Sequence, residues 1–92
     1  MKEASPIQRV NAEMKGLYKN WFDTLNLLAE TTDPSIRSMW IDELKDLHLR
    51  AGKLLETGAL QATQESQAKI LLSRPVNQWA ILSKDRPIVP TF

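Results

Sequence analysis

The residues of this chain that could do chemistry are few. His48 is the single histidine, and histidine is the usual proton shuttle and metal ligand near neutral pH. Its nearest carboxylate in sequence, Asp46, is two residues away. On a helix, residues two apart do not face each other. His48 therefore reads as a histidine at the edge of a core. Asp42, Glu43 and Asp46 form an acidic cluster that invites a metal site or an acid/base pair. An inward-facing di-metal bundle site needs Glu and Glu-x-x-His contributed by several helices, and one histidine cannot supply it. These acids fall on a polar helix face, so a solvated surface is expected. The three glycines, Gly16, Gly52 and Gly58, stand alone and make no phosphate-binding loop. With no cysteine, thiol catalysis, disulfides and thiolate metal sites are excluded together. Serine and threonine are common, but a nucleophile needs a base and an oxyanion site, and no such set can be named. The expectation is a non-enzyme with no cofactor and no metal.

Residues suited to binding are better represented. Trp21, Trp40 and Trp79 fall on three different elements. Tryptophan buries a large area and carries a polar handle, which suits both binding hot spots and small cores. Trp21 and Trp40 lie on apolar stripes, which favours the core; Trp79 fits either use. The tail Arg86-Pro87-Ile88-Val89-Pro90-Thr91-Phe92 contains Pro-x-x-Pro, a spacing that suits an aromatic groove. Ile88, Val89 and Phe92 call for burial, so a tail lying across the domain or a neighbouring subunit is the preferred reading. Trp21, Trp40, Leu49, Trp79, Ile88, Val89 and Phe92 are the candidate interface residues.

The elements that must position these side chains are helices. Ser5-Pro6-Ile7-Gln8 has a capping-box spacing with proline at the first helical position. From there Ile7, Val10, Met14, Leu17, Tyr18, Trp21, Phe22, Leu25 and Leu28 fill one stripe of a helix running to about Glu30. Its length would be roughly 37 Å. Thr31-Thr32-Asp33-Pro34 stops it and starts the next: Asp33 suits an N-cap and Pro34 a first turn. In the second helix Ile36, Trp40, Leu44, Leu47, Ala51, Leu54 and Leu55 share a stripe, Met39 and Ile41 flank it, and Leu49 lies outside it. Gly58 suits the position just past its end. Ala59 to Ser73 reads as a third helix packed mainly at its ends, through Leu60 and Ile70-Leu71-Leu72. Val76–Leu82 fits a two-turn helix starting at Pro75 better than a strand, since no partner strand is visible. The predicted architecture is all-α: an antiparallel hairpin (about 6–30 and 34–57), a third helix (about 59–73), a short fourth helix and an extended tail. Residues 1–84 form one domain and 85–92 the tail.

Composition narrows the function class. At 92 residues, with 42% hydrophobic and 25% charged, the chain is one globular domain. The net charge of +1 gives no broad field, so nucleic-acid binding, which rests on phosphate neutralisation, ranks last. Lys69, Arg74, Lys84 and Arg86 are the only cations grouped for it. No apolar run approaches the roughly 20 residues needed to span a bilayer, and Met1–Pro6 has no apolar signal core. A cytoplasmic location and no membrane partner are expected.

Two long stripes, Met39, Ile41, Leu49, the Val76–Leu82 segment and the tail amount to more apolar surface than a two-helix hairpin can hide. The first functional expectation is therefore a non-enzymatic protein-interaction module: a small helical adaptor or inhibitor acting as a homo-oligomer or docked on a protein partner. A second expectation comes from a likeness in pattern. Over Tyr18 to Leu55 the hairpin resembles small phage-encoded sponge proteins of helical-hairpin type. That resemblance implies an oligomer that binds or sequesters a nucleotide-like or anionic small molecule. No site residues carry over from it. Independently, Tyr18, Lys19, Arg37 and Arg50 are the residues able to stack on or pair with such a ligand.

Overall fold

The computed structural model describes residues 5–85, with side chains through residue 82. Four helices follow one another: α1 (Pro6–Glu30), α2 (Pro34–Glu56), α3 (Ala62–Leu72) and α4 (Val76–Asp85). The all-α hairpin with third and fourth helices is the architecture observed.

Both starts of the hairpin follow from local chemistry. At α1, the Gln8 N–H donates to Ser5 Oγ at 3.2 Å and the Ser5 N–H donates to Gln8 Oε1 at 3.1 Å, so two otherwise unpaired amides are satisfied reciprocally. At α2, Asp33 Oδ1 accepts from the Ser35 N–H at 2.8 Å, and Pro34 fills the first turn. Arg37 then locks the bend. Its Nη1 donates to the Leu28 carbonyl at 2.6 Å and to the Thr31 carbonyl at 2.9 Å. The Leu28 carbonyl otherwise has only a long 3.3 Å bond from the Thr31 N–H, and the last carbonyls of a helix carry its negative dipole end, so a guanidinium there answers both needs.

The core runs along the inner side of α1. Met14, Leu17, Tyr18, Trp21, Phe22, Leu25 and Leu28 are buried, facing Leu44, Leu47, Ala51 and Leu54 of α2. A hairpin alone would leave these stripes half open. Here α1 packs against all three other helices, and α2 packs against α3 and α4 as well. Ala68 and Leu71 of α3 and Trp79 and Ala80 of α4 complete the buried cluster. The open side of the hairpin is thus covered within the chain.

Several boundaries and burials differ from expectation. α3 begins at Ala62 rather than 59, because the chain first turns at Gly58. That glycine has φ +68°, a region where an L side chain is strained. α3 is also packed differently. Gln67 and Ala68 in its middle are buried while Ile70 is exposed, since the small Ala68 lets the helix approach. α4 is ten residues long and takes in Asp85, the residue expected to open the tail. Ile7 and Ile36, expected on the buried stripes, lie in the first turns of their helices and are exposed. The remainder of the tail lies outside the described residues.

Candidate functional site

The candidate ligand residues are not brought together. Tyr18 is fully buried, edge-to-face with Phe22 at 4.8 Å between ring centroids. Desolvation pushes its phenol pKa above the ordinary value. Lys19 is exposed on the polar face of α1. Arg37 is committed to the bend. Arg50 lies 3.6 Å from both Glu13 and Asp46. Arg37 and Arg50 touch α1 at Leu28 and Glu13, positions roughly 22 Å apart along the helix.

The candidate interface residues divide sharply. Trp21 is fully buried in the hairpin core. Trp79 stacks edge-on against Trp21 (5.9 Å) and Phe22 (6.5 Å), and its Nε1–H donates to the Leu71 carbonyl at 3.0 Å. Arg74 covers the outer side of the same ring, 5.5 Å from its centroid. Both indoles serve the core of one chain. Trp40 differs: it is half-buried at the bend, its Nε1–H donating to Thr31 Oγ1 at 3.3 Å. Leu49 is 59% exposed. It borders an open groove of about 310 Å³ with His48, Gly52, Lys53, Glu56 and Leu72. Ile88, Val89 and Phe92 lie outside the described residues.

The acid and base candidates sit as surface and edge groups. Asp42, Glu43 and Asp46 are exposed. His48 is half-buried with its ring 6.1 Å from that of Trp21, and its Nε2 is enclosed without a hydrogen-bond partner. Among the described residues, no group of three or more histidine or carboxylate side chains could hold a metal ion. No helix among them is long and apolar enough to cross a membrane.

Two features escape a reading of the sequence. One is Asn11, a buried polar residue on the apolar side of α1. Its Nδ2 donates to the Ile7 carbonyl at 2.7 Å and to the Ala59 carbonyl at 3.0 Å, and its Oδ1 accepts from the Gln61 N–H at 2.6 Å. It ties the 57–61 connection to α1, and its partners lie 48 and 50 residues away. Nothing local in the sequence marks that. The other is the surface around the bend. Met39 is 63% exposed, Leu27 44% and Ile36 42%, and all three lie within two turns of it.

No protein-family model, no curated protein and no solved structure matches this chain.

Proposed function

We propose that the chain is a non-enzymatic protein-interaction module, a small helical adaptor or inhibitor that acts docked on a protein partner or as an oligomer. The observation that carries this reading is the exposure of large apolar side chains on a fold whose core is already complete. Met39 and Leu49 of α2 each keep more than half of their surface in water. The buried cluster beneath them is closed by α3 and α4 without their help. Full burial of such a side chain is worth about 1.5–3 kcal/mol, so the exposed fractions of Met39 and Leu49 leave roughly 1–2 kcal/mol each for a docking partner to recover.

The small-ligand reading has less support, because Tyr18, Lys19, Arg37 and Arg50 are spread over core, polar face, bend and mid-helix. A thermal-shift screen with nucleotides separates the two readings, and the interaction reading expects no shift. Its own test is sedimentation of the full chain from 1 to 100 µM, with binding of an apolar-surface dye measured alongside. The Met39→Ser/Leu49→Ser double variant serves as control. The reading expects the wild type to self-associate or to bind the dye more than the variant. A monomer at every concentration, with dye binding equal to that of the variant, would overturn it.

A further inference from the structure

The end of the molecule at the α1–α2 bend combines exposed apolar surface with a charge balance unlike that of the chain as a whole. The chain carries a net +1. Residues 20–46, which form the bend half of the hairpin, hold six carboxylates against two cations. The carboxylates are Asp23, Glu30, Asp33, Asp42, Glu43 and Asp46, and all are exposed; Asp46 is paired with Arg50 at 3.6 Å, so the other five carry the acidic excess. Of the two cations, Arg37 is turned onto the Leu28 and Thr31 carbonyls, which leaves Lys45 as the outward one. The rest of the chain holds the other ten of the twelve cations, among them Arg50 and Lys53 further along α2. Against those ten, the rest of the chain holds five carboxylates, so the acidic excess belongs to the bend half of the hairpin.

Apolar side chains occupy the acidic end. Leu27 projects from the last turns of α1, and Ile36 and Met39 from the first turns of α2. Trp40 stands beside them, half-buried and held at its Nε1–H by Thr31. A half-buried indole and exposed aliphatic groups within two turns of one bend, on a stretch rich in exposed carboxylates, make a surface that a basic amphipathic segment complements. Apolar anchors bury against Leu27, Ile36 and Met39, while lysine or arginine on its flanks meets the acidic rim.

We propose that the bend of the hairpin docks a cationic amphipathic segment of another protein. This rests on the interaction-module reading and names its surface and the chemistry of its partner. A second copy of the chain is disfavoured at this surface under closed two-fold symmetry, because it would set the acidic rim against itself. Nor is the surface a nucleic-acid site, since its field repels phosphate.

The experiment uses the full chain labelled with ¹⁵N and follows its three indole N–H signals. The probe is a synthetic amphipathic helical peptide of leucine and lysine; the controls are its leucine/glutamate counterpart and a polylysine of equal length. The surface predicts that the leucine/lysine peptide shifts the Trp40 indole signal and leaves those of Trp21 and Trp79 in place. Affinity should fall about tenfold or more in the exposed Asp42→Lys/Glu43→Lys variant and in Ile36→Ser/Met39→Ser. It should also weaken as salt is raised. No Trp40 shift, an equal effect from the anionic peptide or from polylysine, or unchanged affinity in both variants overturns the proposal. So does a Trp40 shift that grows with protein concentration alone, which assigns the surface to a second copy. If Trp40 stays silent while sedimentation or dye binding still differs between wild type and a Leu49→Ser single variant, the surface is refuted and the interaction reading stands.

Discussion

Replacing Asn11 tests how this small fold is held together. Its amide makes two contacts that cross from α1 to the 57–61 connection: Nδ2 to the Ala59 carbonyl at 3.0 Å, and the Gln61 N–H to Oδ1 at 2.6 Å. A net hydrogen bond is worth about 0.5–1.5 kcal/mol, and more when its loss strands a partner away from water. Asn11→Ala removes both bonds and leaves the Ala59 carbonyl and Gln61 amide unpaired, a loss of roughly 2–3 kcal/mol on that scale. Alanine returns about 0.6 kcal/mol through its better helix propensity. The net expectation is about 2 kcal/mol of destabilisation, or roughly 10 °C in Tm for a domain of this size. Asn11→Asp keeps the acceptor for Gln61 but sets a carboxylate against the Ile7 and Ala59 carbonyls, so at neutral pH it should cost at least as much. Urea unfolding followed by circular dichroism at 222 nm reads this as a lower midpoint with an unchanged slope. A loss below about 0.5 kcal/mol for Asn11→Ala would refute the view that this residue fastens the connection, since a single ordinary hydrogen bond exceeds that.

Trp79→Ala should cost about 3–5 kcal/mol, because it removes the ring packed on Trp21 and Phe22 and the bond to the Leu71 carbonyl; calorimetry would show α4 no longer contributing to the cooperative transition. Arg37→Ala should cost about 1–2 kcal/mol: it removes the bonds to the Leu28 and Thr31 carbonyls, of which Leu28 keeps the Thr31 N–H as a partner. Arg37→Lys, which lacks the guanidinium fork, should recover only part of this in the same urea assay. Tyr18 is the single tyrosine, so the rise of the tyrosinate band at ~245 nm reports its ionisation, with tryptophan fluorescence read alongside for unfolding. Its pKa is raised by desolvation in the folded state, so the folded state holds the phenol proton more tightly than the unfolded chain. That contribution to stability is fully present below the unfolded-state value and is lost as pH rises through the folded one. Ionisation should therefore arrive late and together with alkaline unfolding.

The features legible in the sequence are those that local rules govern. Ser5-Pro6-Ile7-Gln8 and Asp33-Pro34 fix both helix starts through caps that need only neighbouring residues. The stripe from Met14 to Leu28 is buried as its 3.6-residue period predicts. Gly58 lies just past the end of α2, as expected, yet α3 does not resume until Ala62. Ala59 to Gln61 have acceptable helix propensities; the turn at Gly58 with the Ala59 N–H bond to Thr57 Oγ1 is local, but the distant partner Asn11 also holds them out of α3. The middle of α3 shows the same limit: Gln67 is buried by the helices packed on it, which its own chemistry does not announce. Leu49, outside the stripe of α2, is exposed as that position implies. Trp21 and Trp79 meet each other across 58 residues of sequence, and that closure is a tertiary event. The charge polarity is visible in sequence only when the count is centred on the bend, as over residues 20–46. Counting charges in consecutive stretches divides the chain near the bend and splits the acidic end between two segments. Only the folded hairpin puts Asp23 and Glu30 at the same end as Asp42 and Glu43.

Two of the tryptophans, Trp21 and Trp79, seal the core of a single chain, and the docking proposal rests on the third, Trp40, standing apart from them at the bend. Hydrogen exchange of the three indole N–H groups in the free full chain tests it most directly. Trp21 is fully buried, and Trp79 is buried and bonded to the Leu71 carbonyl, so both should exchange only through opening of the fold. Trp40 is half-buried, with a long 3.3 Å bond to Thr31, and should exchange far sooner. Three indoles exchanging at one rate, or Trp79 exchanging as fast as Trp40, would contradict it.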